Sequence, residues 1–194
     1  VNSQSLNTTV ITGLDNAKEY ELFQLSVYDD EVLQAKIDKF LAYTENDINE
    51  KNVDMIQILH LEAHDGAEQK INSEQDEAVK KIWEAKLGQI KNKYEQLKPV
   101  INQKQEALDK IIEAIKENIN KIQEGMSPEN ARKIVSDIDG LVEKISVNKY
   151  QKIEPGLREK FTTLKLELEL YENSKDTTVT LNDDGTVTIA PLKT

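Results

Sequence analysis

The chain has no cysteine among its 194 residues. That excludes a disulfide framework, thiol chemistry and Cys-ligated zinc, and it leaves the redox compartment open. Glycine is sparse, at seven residues sitting mostly at turns, and no glycine-rich phosphate loop is formed. With one Trp and three Phe, the apolar share is 38%, below the usual ~45–50%. A thick globular core is hard to build from so little, whereas narrow apolar seams along helices need far less. No run of about 18 apolar residues occurs, so nothing reads as membrane-spanning. No signal-peptide pattern is visible. An excess of positive charge is missing as well: 36 Asp and Glu against 25 Lys and Arg give a net charge of -11. Nucleic acid and anionic membrane surfaces are bound through clustered Lys and Arg, so neither is an expected partner.

What is present is helical periodicity. Asp29 and Asp30 read as the N-cap and acidic start of a helix over 31–63, with Leu33, Ile37, Leu41, Ile48, Met55 and Leu59 at helical spacings. Its middle, Asn46 to Asn52, is markedly polar. His64-Asp65-Gly66 reads as a break, and Ser73 to Asp76 as a capping box that opens the next helix, over 74–124. In that helix Leu87, Ile90, Tyr94, Leu97, Ile101, Lys104, Leu108, Ile111, Ile115, Asn118 and Ile122 alternate steps of three and four without a slip. This is a heptad seam, with 87, 94, 101, 108, 115 and 122 at a and the others at d. Pro99 falls at f, away from the seam. A kinked continuous helix and a fresh helix with Pro99 at its first position both fit that register.

Gly125 to Glu129 combines a glycine stop, a serine N-cap and a proline at the first helical position, opening a helix over 128–147. Its stripe is Ala131, Ile134, Val135, Ile138, Leu141, Val142 and Ile145. Pro155-Gly156 opens a last helix over 156–172. Beyond it, over 174–194, Val179, Leu181, Val187 and Ile189 alternate with threonines around Asn182-Asp183-Asp184-Gly185, a hairpin signal. Within 1–30, the β-rich stretches Thr8–Ile11 and Tyr20–Tyr28 flank turn residues Gly13 to Asn16 and read as a second hairpin. The predicted fold is mainly α: a coiled-coil or helical-bundle middle over 31–173 with short β-hairpins at both ends.

Candidate chemistry is thin. The only two histidines, His60 and His64, sit at i, i+4 in the string HLEAH, with Glu68 one turn further on. That spacing suits zinc. The metalloprotease form needs Glu directly after the first His, where Leu61 stands, so two imidazoles and one carboxylate are all that remains. Surface or seam histidines are the expected reading, with no metal and no cofactor. No carboxylate pair is singled out by an apolar setting, no calcium loop fits the short NDDG turn, and no nucleophile elbow appears. No enzymatic activity is expected.

The seam needs cover, because buried Leu, Ile and Tyr are each worth roughly 1.5–3 kcal/mol. Cover comes either from the same helix in other copies, giving a parallel trimer or dimer, or from the chain's own other helices, giving a monomeric bundle. The trimer is the favoured expectation. Lys104 and Asn118 on the seam either fix its register or mark where it opens to water.

Residues 9–30 carry one further signal. Ile11-Thr12-Gly13-Leu14, a turn, and Tyr20 six residues after the leucine, followed by an alternating strand with Phe23, Leu25 and Val27, resemble the end of a fibronectin type III domain. The resemblance implies that Tyr20 is the corner tyrosine tied back to the turn and that the three apolar residues face inward. Asn16 and Lys18 stand where that family usually has Pro and Thr. The whole layout, β modules joined by a coiled-coil stalk, is similar to bacteriophage tail-fibre and baseplate appendage proteins. It implies a virion or bacterial-surface setting and a non-enzymatic oligomeric stalk that presents its end modules. The alternative is a monomeric helical-bundle binding module of a bacterial surface protein. A helical pore-forming toxin would need an apolar tongue, and both hairpins are too polar for one.

Overall fold

The computed structural model describes residues 30–175 and 177–191. The expected N-terminal hairpin and the fibronectin-like stretch with Tyr20 lie outside these residues, apart from Asp30. The described chain is mainly helical, with one long helix and a two-stranded antiparallel sheet at its C-terminal end. In order come α1 (30–42), α2 (Val53–Ser73), α3 (Glu77–Asn120), α4 (Pro128–Val142), α5 (Val147–Gln151), α6 (Pro155–Lys175), β1 (Thr177–Leu181) and β2 (Val187–Pro191).

The single helix expected over 31–63 is instead two helices. The polar stretch between them satisfies its own backbone. Asp47 Oδ2 accepts from the Thr44 amide and hydroxyl at 2.8 and 2.9 Å, fixing a 3-10 turn over Glu45–Asp47. Asn49 Oδ1 accepts from the Lys51 and Asn52 amides, and Asn52 Oδ1 accepts from the Asn49 amide. Short Asn and Asp side chains thus offer the backbone bonds that a continuous helix would have made. Ile48, 3% exposed, pins this connection to the core.

The break expected at His64-Asp65-Gly66 does not occur either. α2 runs through it because Gly66 lets Leu33 of α1 approach closely; a Cβ there would overlap the Leu33 Cδ1. Ser73 is the last residue of α2, its hydroxyl donating back to the Gln69 carbonyl at 2.8 Å, and it does not cap the next helix. Asp76 does, its Oδ1 accepting from the Ala78 amide at 2.9 Å.

α3 passes Pro99 unbroken, which selects the continuous helix over a fresh start. Pro99 and Glu95, whose carbonyl loses its intrahelical donor, both lie on the exposed face, where water can serve that carbonyl. At ~1.5 Å per residue the helix is roughly 65 Å long.

The stripe expected over 128–147 is divided. After α4 the bonds shorten to i, i+3, from Lys144 to Leu141 and from Ile145 to Val142, and Ser146 caps α5 by accepting from the Lys149 amide at 3.1 Å. Ser127 caps α4 in the same way through the Asn130 amide. In the hairpin, Leu181 pairs with Val187, and Gly185 takes a φ of 84° in a turn closed by its amide on the Asn182 carbonyl.

Two compact units divide the chain. In the first, Leu33, Ile37 and Phe40 of α1, Ile48 of the connection, Val53, Ile56, Leu59, Ala63 and Ala67 of α2, and Trp83, Ile90, Leu97 and Ile101 of α3 are the buried apolar residues among those described. Within each helix they recur at helical spacing, so three apolar stripes close one core. Lys86 Nζ of α3 donates to Gln34 of α1, and Lys93 Nζ to the Tyr43 carbonyl at 2.9 Å. Lys70 of α2 pairs with Asp30 of α1.

The second unit begins at Lys104. It buries Leu108, Ile115 and Ile119 of α3, Ala131 and Ile138 of α4, Ile145, Ile153, and Phe161 and Leu164 of α6. Arg132 to Glu172 at 2.9 Å and Lys165 to Asp139 at 3.2 Å link α4 with α6. Lys116 meets Glu154 at 3.5 Å, and the Glu154 carboxyl is held below its usual range by its own backbone amide and then by that lysine.

Candidate functional site

The heptad seam is where the sequence called for cover, either from other copies, the favoured expectation, or from the chain's own helices. In the single chain Ile90, Leu97, Ile101, Leu108 and Ile115 are each exposed by 1% or less, and Leu87, Tyr94, Ile111 and Ile122 are half-buried. Two core residues of the same helix escaped the sequence reading. Trp83 sits one heptad before Ile90 and extends the d row. Ile119, fully buried, replaces Asn118 at the end of the seam. A straight α-helix drifts about 20° per heptad against a strict seven-residue repeat, so the buried line moves from 118 to 119 over the last turns. Asn118, half-buried, donates to the Ala114 carbonyl of its own helix at 2.8 Å. Lys104 is half-buried beside the seam.

The two histidines share α2, with ring centroids 5.8 Å apart, but they do different things. His60 stacks on Tyr94 of α3, centroids 3.9 Å apart and planes within 14°, and its ring lies 5.3 Å from Phe40 of α1. It therefore ties the three helices of the first unit together. Burial, then the neighbouring His64, pushes its pKa below the ordinary imidazole value. His64 instead faces carboxylates, its Nδ1 3.0 Å from Glu68 Oε1 and 3.3 Å from Asp65 Oδ1. The candidate trio of His60, His64 and Glu68 is not among the groups brought together for a metal in the described residues. The set that is, His64, Asp65 and Glu68, has ligand atoms within 4.8 Å of one another. Both carboxylates are exposed, and one imidazole N–H shared between them accounts for the geometry. Asp65 was missed because neighbours in sequence do not normally face each other on a helix.

In the hairpin turn, Asp184 Oδ1 accepts from the Thr186 hydroxyl at 2.6 Å and the Thr186 amide at 3.0 Å. The hydroxyl first, then the amide, lowers the Asp184 pKa. Its carboxylate is spent on closing the turn.

Two further candidate surfaces are apolar. In the first unit Val32 of α1 and Met55 and Ile58 of α2 are 45–52% exposed along an open groove that Lys36, Lys39 and Glu62 also line, and Leu61, 56% exposed, lines a neighbouring hollow with Val32 and Asp65. Lys36 reaches Glu62 at 3.3 Å. In the second unit Leu166 and Leu170, one turn apart on α6, face solvent. Among the described residues no helix is long and apolar enough to cross a membrane. Compared with known proteins, the chain matches no protein-family model, no curated protein and no solved structure.

Proposed function

We propose that this chain is a non-enzymatic helical-bundle interaction module, monomeric, of the kind a bacterial surface protein would carry. It acts by holding rigid helix faces toward another protein. The observation that carries the reading is the burial of the heptad seam within one chain. Of the side chains that a parallel trimer would need at its axis, Ile90, Leu97, Ile101, Leu108 and Ile115 are already covered and Leu87, Tyr94, Ile111 and Ile122 are half-buried, so oligomerisation would gain little from them. Its means of action is preorganisation: faces fixed before binding lose little entropy on contact. Light scattering coupled to gel filtration of the full chain tests it. The expected mass is 22.1 kDa at every loading concentration; a mass about three times larger would remove the reading.

A second reading, the connector or stalk of a phage-like appendage, is favoured by a separate observation. One helix of 44 residues passes Pro99 unbroken, and a β-hairpin follows α6 after a single residue. Exposed Leu166, Leu170, Leu181 and Val187 are then the apolar surface through which copies would associate. In that reading three copies on one stalk raise effective concentration at a target surface. The same mass measurement separates the two.

A further inference from the structure

We infer that the groove between α1 and α2 seats one amphipathic helix of another protein, carrying a carboxylate that meets Lys39. The inference names the face and the partner of the interaction module proposed above, and it rests on that reading. Val32, Ala35, Lys36 and Lys39 line the groove from α1. Met55, Ile58, Leu59 and Glu62 line it from α2. Each row steps i, i+3, i+4, i+7, the pattern of one helix face, and each spans roughly 10 Å at ~1.5 Å per residue. Two such rows side by side make a furrow into which a third helix packs an apolar ridge of the same spacing. Val32, Met55 and Ile58 are about half exposed there, and Ala35, exposed and short, leaves room for an incoming side chain.

The groove also has the right place in the first unit. α1 and α2 run antiparallel, since Asp30 meets Lys70 while Lys36 meets Glu62. Their contacts with α3 leave from Gln34 and His60. Those residues stand two positions from Lys36 and Ile58, or about 200° round each helix. The groove therefore opens on the side of the pair away from α3, and a helix seated in it completes a four-helix arrangement. It is formed in advance. Bonds from Asp47, Asn49 and Asn52 fix the connection between α1 and α2, so docking costs little ordering.

Charge selects the partner. The chain carries a net charge of -11, yet this groove is lined by two lysines and one glutamate. Lys36 is taken by Glu62 at 3.3 Å, whereas exposed Lys39 has no ion pair among the described residues. A carboxylate on the incoming helix satisfies Lys39, and a lysine there sets like charge against it.

The test titrates the isotope-labelled full chain, at about 0.15 M salt, with two stapled helical peptides of about five turns. Both carry leucines at i, i+3, i+4 and i+7, and they differ only in glutamate or lysine on the flanks. The expected result is tighter binding of the acidic peptide, the reverse of what the net charge alone would give, with amide shifts at Ala35, Lys39 and Ile58. Ile58→Glu should weaken that binding about tenfold or more. Lys39→Glu should cut the preference for the acidic peptide by about two- to fivefold. Both positions are exposed, so the helix content read by circular dichroism should not change. A preference for the basic peptide, acidic-peptide binding indifferent to Ile58→Glu, or no saturable binding of either peptide would overturn the inference. So would shifts at the same amides when the chain alone is concentrated, which would assign the groove to a second copy. Light scattering of the free chain keeps two failures apart. A mass of 22.1 kDa without peptide binding removes this inference alone, and a mass about three times larger removes the module reading beneath it.

Discussion

Replacing Leu97 with alanine probes the reading where it is most exposed to failure. Leu97 has no exposed surface in the single chain and lies on the α3 stripe between Ile90 and Ile101, which are equally buried. Truncating such a leucine removes its transfer energy and leaves a cavity, together costing about 2–5 kcal/mol. Taking about 3 kcal/mol and a urea slope of about 2 kcal/mol/M, the unfolding midpoint should fall by roughly 1.5 M. Ile82→Ala on the same helix is the control, since Ile82 is 54% exposed and its loss should stay within about 0.5 kcal/mol. Circular dichroism at protein concentrations about tenfold apart reads both. In a monomeric bundle the midpoint of each protein is the same at the two concentrations, whereas unfolding coupled to dissociation shifts it. Equal losses for the two variants, or a Leu97→Ala loss that shrinks as protein is concentrated, would refute the argument from burial.

Glycine positions give a test of opposite signs. Gly88→Ala meets nothing within 4 Å and should stabilise α3 by about 0.5–1 kcal/mol, whereas Gly66→Ala drives a Cβ into buried Leu33 and should lower the melting temperature despite the same helix-propensity gain. Asp76→Ala removes the amide acceptor at the start of α3 and should cost about 1 kcal/mol by urea titration. His60 supplies a pH dependence. Its folded pKa lies below the ordinary value of 6.5, so the unfolded chain binds the proton first, and stability is lost as pH falls below about 6.5. His60→Phe keeps the stack on Tyr94 and should flatten that part of the stability–pH curve; an unchanged slope would show that the ring does not carry it.

The helical class and the C-terminal hairpin were legible because both rest on local periodicity: steps of three and four along α3, and threonine alternation around a turn glycine. The connection at 43–52 was not. Its helix-compatible apolar residues, Leu41, Ile48 and Met55, survive the break, because Ile48 turns inward from a loop and keeps the count going. Gly66 misled for the opposite reason. A glycine beside His and Asp looks like a stop, yet here it is a notch for Leu33, and only the tertiary neighbour reveals that. The partner of the seam could not be read at all. A heptad stripe states that a surface must be covered and is silent on whether a second copy or a folded-back helix covers it. His60 and Tyr94 show the same limit, since no spacing rule links residues on two helices, and the stack between them is what separates the two histidines into different roles.

The most direct measurement is the dipolar spectrum of the chain carrying one nitroxide at Glu106→Cys, an exposed f position on α3. If the seam is closed within each chain, singly labelled molecules show no specific interspin distance at any concentration. If instead the seam joins parallel copies, packed helices about 8–10 Å apart would bring the labels within roughly 30 Å of one another. A well-defined distance of that size would contradict the account.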